Sequence, residues 1–137
     1  MIKLPKKINY STAKKRATTA FQLYVRLRDS DVNGFGKCCT CSKIVHYKKA
    51  DAGHWITRGD SSVLFDEVNT NLQCKQCNWR RNLHHVYRTF LVEKYGKDAV
   101  EKLEQKARMI CKRTIVDLLY LEKFYKQQSV ILLKEKL

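Results

Sequence analysis

The sequence predicts an α+β protein in which a short, irregular, β-containing centre is set between a basic N-terminal helix and a helical C-terminal region. Three observations predict it. Apolar residues recur at helical spacing toward both ends of the chain. Residues 35 to 74 are instead divided by Gly36, Gly53 and Gly59 into β-prone pieces such as KIVHY and HWIT, which read as a knuckle and a hairpin. In and just after that stretch lie two Cys-x-x-Cys pairs, Cys38 with Cys41 and Cys74 with Cys77.

The elements follow in order. Ser11 is a candidate cap for a first helix through STAKKRATTAFQLYVRLRDSD, with Phe21, Tyr24 and Val25 at helical spacing, and Asn33-Gly34 ends it. Helix resumes near the second cysteine pair and continues through WRRNLHHVYRTFLVEKY to Gly96, a C-cap. Asp98 with Glu101 has the spacing of a capping box for the next helix, with Val100, Leu103, Ala107 and Ile110 on one face. Thr114 with Asp117 opens a last helix, whose Ile115, Leu118, Leu119, Phe124, Ile131 and Leu132 form an apolar face opposite a solvated basic one. With no internal repeat and no low-complexity linker, residues 1–137 are read as a single domain: a basic N-terminal helix (1–34), a stapled core (35–95) and C-terminal helices (96–137).

Charge narrows the partners. Twenty-eight Lys and Arg against 13 Asp and Glu leave +15, which implies a polyanion, nucleic acid first. The basic residues run from Lys3 to Lys136 rather than in one cluster, and no apolar run is long enough to span a bilayer, so no membrane partner is expected. The start MIKLPKKINY lacks the apolar stretch and small-residue site of a secretory signal, which leads to a cytoplasmic expectation. Six cysteines in that compartment point to metal rather than disulfides.

Two Cys-x-x-Cys pairs offer four thiolates, each pair spanning one edge of a tetrahedron, as structural zinc requires. Four sulfurs leave no open position for water, so any chemistry lies beside the zinc. The Cys39-x-Cys41 spacing is too short for the usual knuckle, so Cys39 and the distant Cys111 are read as free thiols.

Between the pairs lies DAGHWITRGDSSVLFDEVN, and Asn78 directly follows Cys77. This arrangement resembles the ββα-metal (HNH) nucleases. The closer resemblance is to the phage lambda NinG/Rap recombination endonucleases, through RLRDSD, CCTC, DAGH, FDEVN, QCKQCN and a downstream tyrosine. It spans roughly residues 21 to 125; phage recombination endonuclease VII, a junction resolvase, is more distantly similar. The resemblance implies a zinc-stapled ββα-metal core and a metal-dependent endonuclease acting on branched recombination DNA. It makes His54 the general base, Asn69 the residue that steadies the imidazole through its loop, and Asn78 an oxygen ligand of a catalytic Mg²⁺ or Mn²⁺. The chemistry suits these types: an imidazole accepts a proton near neutral pH, and hard divalent ions take oxygen ligands.

Many relatives carry Asp directly before the base, where this chain has Gly53. Asp51 is the substitute ligand, provided a bulge at Gly53 turns it toward the face of His54. Glu67 either assists or orients basic residues. Asn82 is one turn beyond Asn78 on the expected helix, and Arg58 shares the strand face of His54; Arg58 is a candidate phosphate contact, with Arg80, Arg81 and Arg88 weaker cases. His46, His84 and His85 are read as surface residues near phosphates. A zinc-stapled DNA-binding or assembly protein without activity, and a sequence-specific HNH homing or restriction nuclease, are the alternatives. Symmetric cuts at a junction favour a homodimer through the C-terminal apolar faces.

Overall fold

The computed structural model describes residues 7–57, 62–80 and 82–136. The first helix, α1, is Tyr10–Arg28, capped by Asn9 rather than by Ser11: the Asn9 side chain accepts from the Thr12 N–H at 2.8 Å, and Ser11 already lies inside the helix. Its buried face is Ala13, Ala17, Ala20, Phe21 and Val25, small residues first, so another helix can approach closely. That helix is the last, α5 (Ile115–Lys136). Thr114 and Asp117 open it reciprocally, each accepting from the other's backbone N–H (2.8 and 3.1 Å), as the capping-box spacing predicts.

The buried stripe of α5 is Leu118, Glu122, Tyr125 and Ser129, so it passes through two polar positions, while Ile131 is exposed. Glu122 is tolerated there because Arg16 of α1 pairs with it at 2.9 Å and Lys126 at 3.1 Å. The Arg16 hydrogen bond, opposed by burial, holds the Glu122 carboxyl below the ordinary carboxylate range. The ring of Phe21 meets that of Tyr125 edge-on at 4.8 Å.

Between these helices the chain makes two small antiparallel sheets. Strands β1 (Phe35–Lys37) and β2 (Ile44–His46) form the knuckle, with Phe35 opposite His46 and the first cysteine pair in the turn. Strands β3 (Ala50–His54) and β4 (Thr70–Cys74) pair in unbroken register from Ala50↔Cys74 to His54↔Thr70. The bulge expected at Gly53 is therefore absent. β4 runs without a break into α2 (Lys75–Trp79).

The continuous helix expected through residues 79 to 95 is two. α2 ends where Arg80 turns to an extended conformation (φ −77°, ψ 133°), and α3 is His84–Tyr95. Gly96, at φ +90°, closes α3 with its N–H on Val92 O and begins α4 (Lys97–Ala107). The Asp98–Glu101 box does not form: the N-cap of α4 is Gly96, without a side-chain cap, and Glu101 faces Lys97 at 3.9 Å. Val100 and Leu103 pack into the core; Ile110 lies beyond the helix end, exposed.

The β3–β4 hairpin belongs to both cores. Ala52 packs with Ala20, Phe21, Val25 and Tyr125 of the α1–α5 pair. Trp55 and Val63 pack with Tyr87, Leu91, Val100 and Leu103 of α3 and α4. The RLRDSD segment fastens α1 to β4: Asp29 accepts from the Leu72 N–H (2.9 Å) and from Arg28 (2.8 Å), while Arg28 donates to Thr70 O (2.8 Å) and Glu67 O (2.8 Å). Lys136 donates to three carbonyls at the C-terminus of α1, where the helix dipole favours a cation. No described helix is long and apolar enough to cross a membrane.

The α1–α5 contact sets two expectations. Leu118→Ala, which empties a fully buried position, should cost about 2–5 kcal/mol in denaturant unfolding. Because the folded pKa of Glu122 lies below its unfolded value, its contribution is complete above about pH 4.3 and is lost as pH falls through the depressed value. Unfolding midpoints of Glu122→Gln should accordingly fall less steeply with acid than those of the wild type; equal slopes would remove Glu122 as an acid-sensitive group.

Candidate functional site

Cys38, Cys41, Cys74 and Cys77 come together, their sulfurs all within 4.8 Å of one another. Cys41 and Cys74 are 3.8 Å apart at sulfur, the edge of a tetrahedron whose metal–sulfur bonds are about 2.3 Å. Three of the four are buried, and Cys41 closes the solvent side. Four sulfurs so placed fit a structural zinc ion, with no position left for a water. Cys39 points elsewhere, into the core with Tyr87 and Trp55, and burial pushes its thiol far up. All six cysteines are free of disulfides.

The cluster reaches into its surroundings through one chain of contacts. Cys38 Sγ lies 3.4 Å from Thr40 Oγ1, which accepts from Gln73 Nε2 at 3.0 Å. That bond orients the amide of Gln73, a residue only 4 % exposed, so that its Oε1 lies over Gly53, where a Cβ would collide with it. The same imagined Cβ would stand 3.0 Å from Asn78 Oδ1. Two amide oxygens, one just before Cys74 and one just after Cys77, thus converge on the space left by the missing side chain of Gly53.

Asp51 is on the Gly53 face of β3 by strand alternation, not the His54 face. It needs no bulge to find Asn78, because Asn78 comes to that face: Asn78 Nδ2 donates to Asp51 Oδ2 at 3.1 Å and Lys75 Nζ to Oδ1 at 2.9 Å. Holding the Asn78 nitrogen leaves its oxygen for Gly53's side.

His54 is half-buried at the end of β3. Its Nε2 is 2.8 Å from the Leu64 carbonyl, which can only accept, so Nε2 carries the proton. Nδ1 is then the lone-pair nitrogen, and it has no hydrogen-bond partner among the described residues. Burial pulls the imidazole pKa down, opposed by the bond to Leu64, so the ring is neutral at pH 7.

The loop that carries the Leu64 carbonyl is held by its neighbours. Asn69, fully buried, donates to Ile56 O and Val63 O (both 3.1 Å) and accepts from the Ile56 N–H (2.9 Å), tying both sides of the β3–β4 loop together. On the other side, the buried Tyr87 hydroxyl donates to Gly53 O at 2.6 Å.

His54, Gln73 and Asn78 open onto one cleft of about 1090 Å³, whose rim includes Trp79, Arg80 and His84. Asn82 also lines it, although the end of α2 at Trp79 removes the helical spacing expected to place it there. Asp51 backs Asn78 without lining the cleft. Arg58 and Arg81 lie outside the described residues. Glu67 is held by the hydroxyls of Tyr24 (2.8 Å) and Tyr125 (3.3 Å), Arg88 faces Glu104 at 3.4 Å, and His84 stacks on Trp55 at 4.7 Å. His46 accepts from the Lys48 N–H through Nδ1 at 3.2 Å. Gln73, Thr40 and the Leu64 carbonyl were not found from the sequence. For Gln73 the available signal was the glycine itself, which leaves room for a neighbour on the adjoining strand.

The fold and site define an α+β protein with a four-cysteine cluster that fits zinc and a His/Asn cleft against that cluster. The chain belongs to the family described as Bacteriophage Lambda NinG protein, whose model matches residues 3–135. Neither the curated proteins nor the solved structures contain a match to it.

The clamp makes a direct prediction. The purified protein should contain one zinc per chain, and Cys77→Ser should lose both the metal and cooperative unfolding, since structural zinc contributes on the order of 10 kcal/mol in small modules. Metal analysis with circular-dichroism melting reads both, and a metal-free Cys77→Ser protein with wild-type melting would exclude a structural zinc.

Proposed function

We propose that the cleft is the active site of a metal-dependent endonuclease of the ββα-metal (HNH) type, cutting phosphodiesters in branched recombination DNA. The observation that supports it most is a histidine with one tautomer imposed and Nδ1 unpartnered, opening on the same cleft as the amide oxygens of Asn78 and Gln73. The succession β3, β4, α2 is the strand–strand–helix order such a site needs.

In this reading His54 Nδ1 takes the proton of the attacking water, and the Leu64 carbonyl, steadied by Asn69, keeps the ring from turning. Asn78 Oδ1, with Gln73 Oε1 beside it, would hold Mg²⁺ or Mn²⁺. Such an ion, when bound, stabilises charge at the phosphate and the leaving 3′ oxygen. Gln73 occupies the room of the aspartate that relatives carry where this chain has Gly53, which weighs against the inactive binding protein. Asp51 is then a positioning residue that turns the Asn78 amide. The +15 charge suits a phosphate polymer, and the preference for branched DNA rests on the resemblance of the motifs. The exposed Val116, Tyr120, Val130 and Ile131 of α5 offer a surface for a homodimer making paired cuts in the host cytoplasm.

The deciding experiment incubates the zinc-loaded protein with four-way, flap and linear DNA and Mg²⁺ or Mn²⁺. His54→Ala should retain zinc, fold and DNA affinity while cutting about 10²- to 10⁴-fold more slowly. Wild-type cleavage should fall as pH drops through the lowered His54 pKa, placing the acid limb below about 6.5, the usual imidazole value. Asn78→Ala and Gln73→Ala should each be partly rescued by raised metal, and Asp51→Ala should follow Asn78→Ala in milder form. A wild type that binds branched DNA yet never cuts it with either ion leaves the zinc-stapled binder in its place.

A further inference from the structure

Tryptophan is the costliest side chain to leave in water, and this chain leaves one there beside its cleft. Of the two tryptophans, Trp55 is 6 % exposed and Trp79 is 86 % exposed. Trp79 directly follows Asn78 as the last residue of α2, and it stacks on no ring among the described residues. It is not a loose end. Cys77, two residues earlier, ties α2 to the metal cluster, and the Arg80 N–H caps the helix on Gln76 O at 3.1 Å.

Exposed apolar residues also lie around the α4–α5 connection (Met109, Ile110, Val116) and on the knuckle (Phe35, Ile44), but Trp79, the most exposed aromatic among the described residues, lines the cleft. Beside it is Arg80, exposed, whose guanidinium has no hydrogen bond or ion pair among the described residues. A bare indole face and an unpaired cation at one rim match the two parts of a nucleotide: a base to stack and a phosphate to pair. A paired duplex cannot present a base face, since each base is covered by its neighbours. An unpaired or unstacked one can.

We infer that Trp79 is a stacking platform for an unpaired nucleobase at the rim of the cleft, with Arg80 on the adjacent phosphate. The assignment rests on the nucleic-acid reading of the cleft and specifies its substrate class: DNA with unstacked bases next to the cut, as at branch points, bulges and gaps. No base-specific hydrogen bonding is involved, because every base offers a π-face.

The test measures binding by the zinc-loaded full chain without added Mg²⁺ or Mn²⁺, so that nothing is cut. The probes are one duplex sequence, fully paired, with a two-nucleotide bulge, and as a four-way junction. Trp79→Ala should weaken binding to the bulged DNA and the junction by about 5- to 150-fold, the loss of one base–aromatic stack, and change duplex affinity by less than about twofold. Trp79→Phe should recover part of the loss. Bulged DNA should quench the tryptophan emission of the wild type and leave that of Trp79→Phe, in which only the buried Trp55 emits, nearly unchanged.

Equal losses on duplex and bulged DNA, or none on either, would overturn the inference, as would quenching that survives in Trp79→Phe. Failure of the endonuclease reading looks different: DNA without cuts under any divalent ion, with the stacking signature intact. A wild type that binds none of the three DNAs ends both.

Discussion

Cys74 belongs at once to a strand, a helix and the four-cysteine cluster, and the rest of the site depends on that coincidence. It closes β4 opposite Ala50, its extended backbone (φ −68°, ψ 155°) makes it the N-cap of α2, and its sulfur accepts from the Cys77 N–H at 3.5 Å while facing the other thiolates. A strand that ends on a metal ligand cannot slip by a residue without losing the ligand, so register and coordination enforce each other. Gln73 and Asn78, on either side of the second cysteine pair, inherit their positions from this joint. A metal held by four sulfurs would have no chemistry of its own to offer, and its value would be rigidity.

That rigidity is supplemented by buried polar groups. Every residue of β4 is buried, and four of the five are polar or thiol-bearing. Such a strand is tolerable only if its side chains are satisfied. Asn71 donates to Val68 O and Tyr87 Oη, Thr70 to Asp66 O, and Gln73 to Thr40. Asp29 and Arg28 close the remaining edge from α1. Burial alone would raise the Asp29 carboxyl, but Arg28, Lys94 and the Leu72 N–H together hold it low, so it stays charged. The network admits few arrangements, which is what a cleft with fixed distances requires.

The two cores divide the labour. The α1–α5 pair, built on small residues of α1 and the Phe21–Tyr125 contact, covers the Ala52 face of the hairpin and brings the Phe21 ring to 6.5 Å from that of His54. Burial at this end of the hairpin is what lowers the imidazole pKa. The α3–α4 pair covers the other side and delivers Tyr87 to the carbonyl of Gly53. The cleft is open where the two cores leave the end of the hairpin uncovered, around α2.

The four-cysteine cluster and the α+β order were legible because they are matters of residue type at short spacing, where local geometry leaves little choice; His54, Asn69 and Asn78 were singled out by the resemblance of the motifs that hold them. The capping box at Thr114 and the closing Gly96 were legible for the same reason. Other features depended on which residues meet across the fold. Asn9 rather than Ser11 caps α1 because the chain enters the helix earlier than its alanines suggest, and the helix break at Arg80 carries no proline or glycine to announce it. The stripe of α5 runs through Glu122 because Arg16 comes from 106 residues away to pair with it. Above all, the partner of Asn78 at Gly53 is decided between strands. Period-two alternation puts Asp51 and Gly53 on one face, but only the pairing of β3 with β4 brings Gln73 over the glycine, and only the thiolate cluster brings Asn78 to the same point. A glycine in a strand states that room exists; what fills it is set by the neighbour across the sheet.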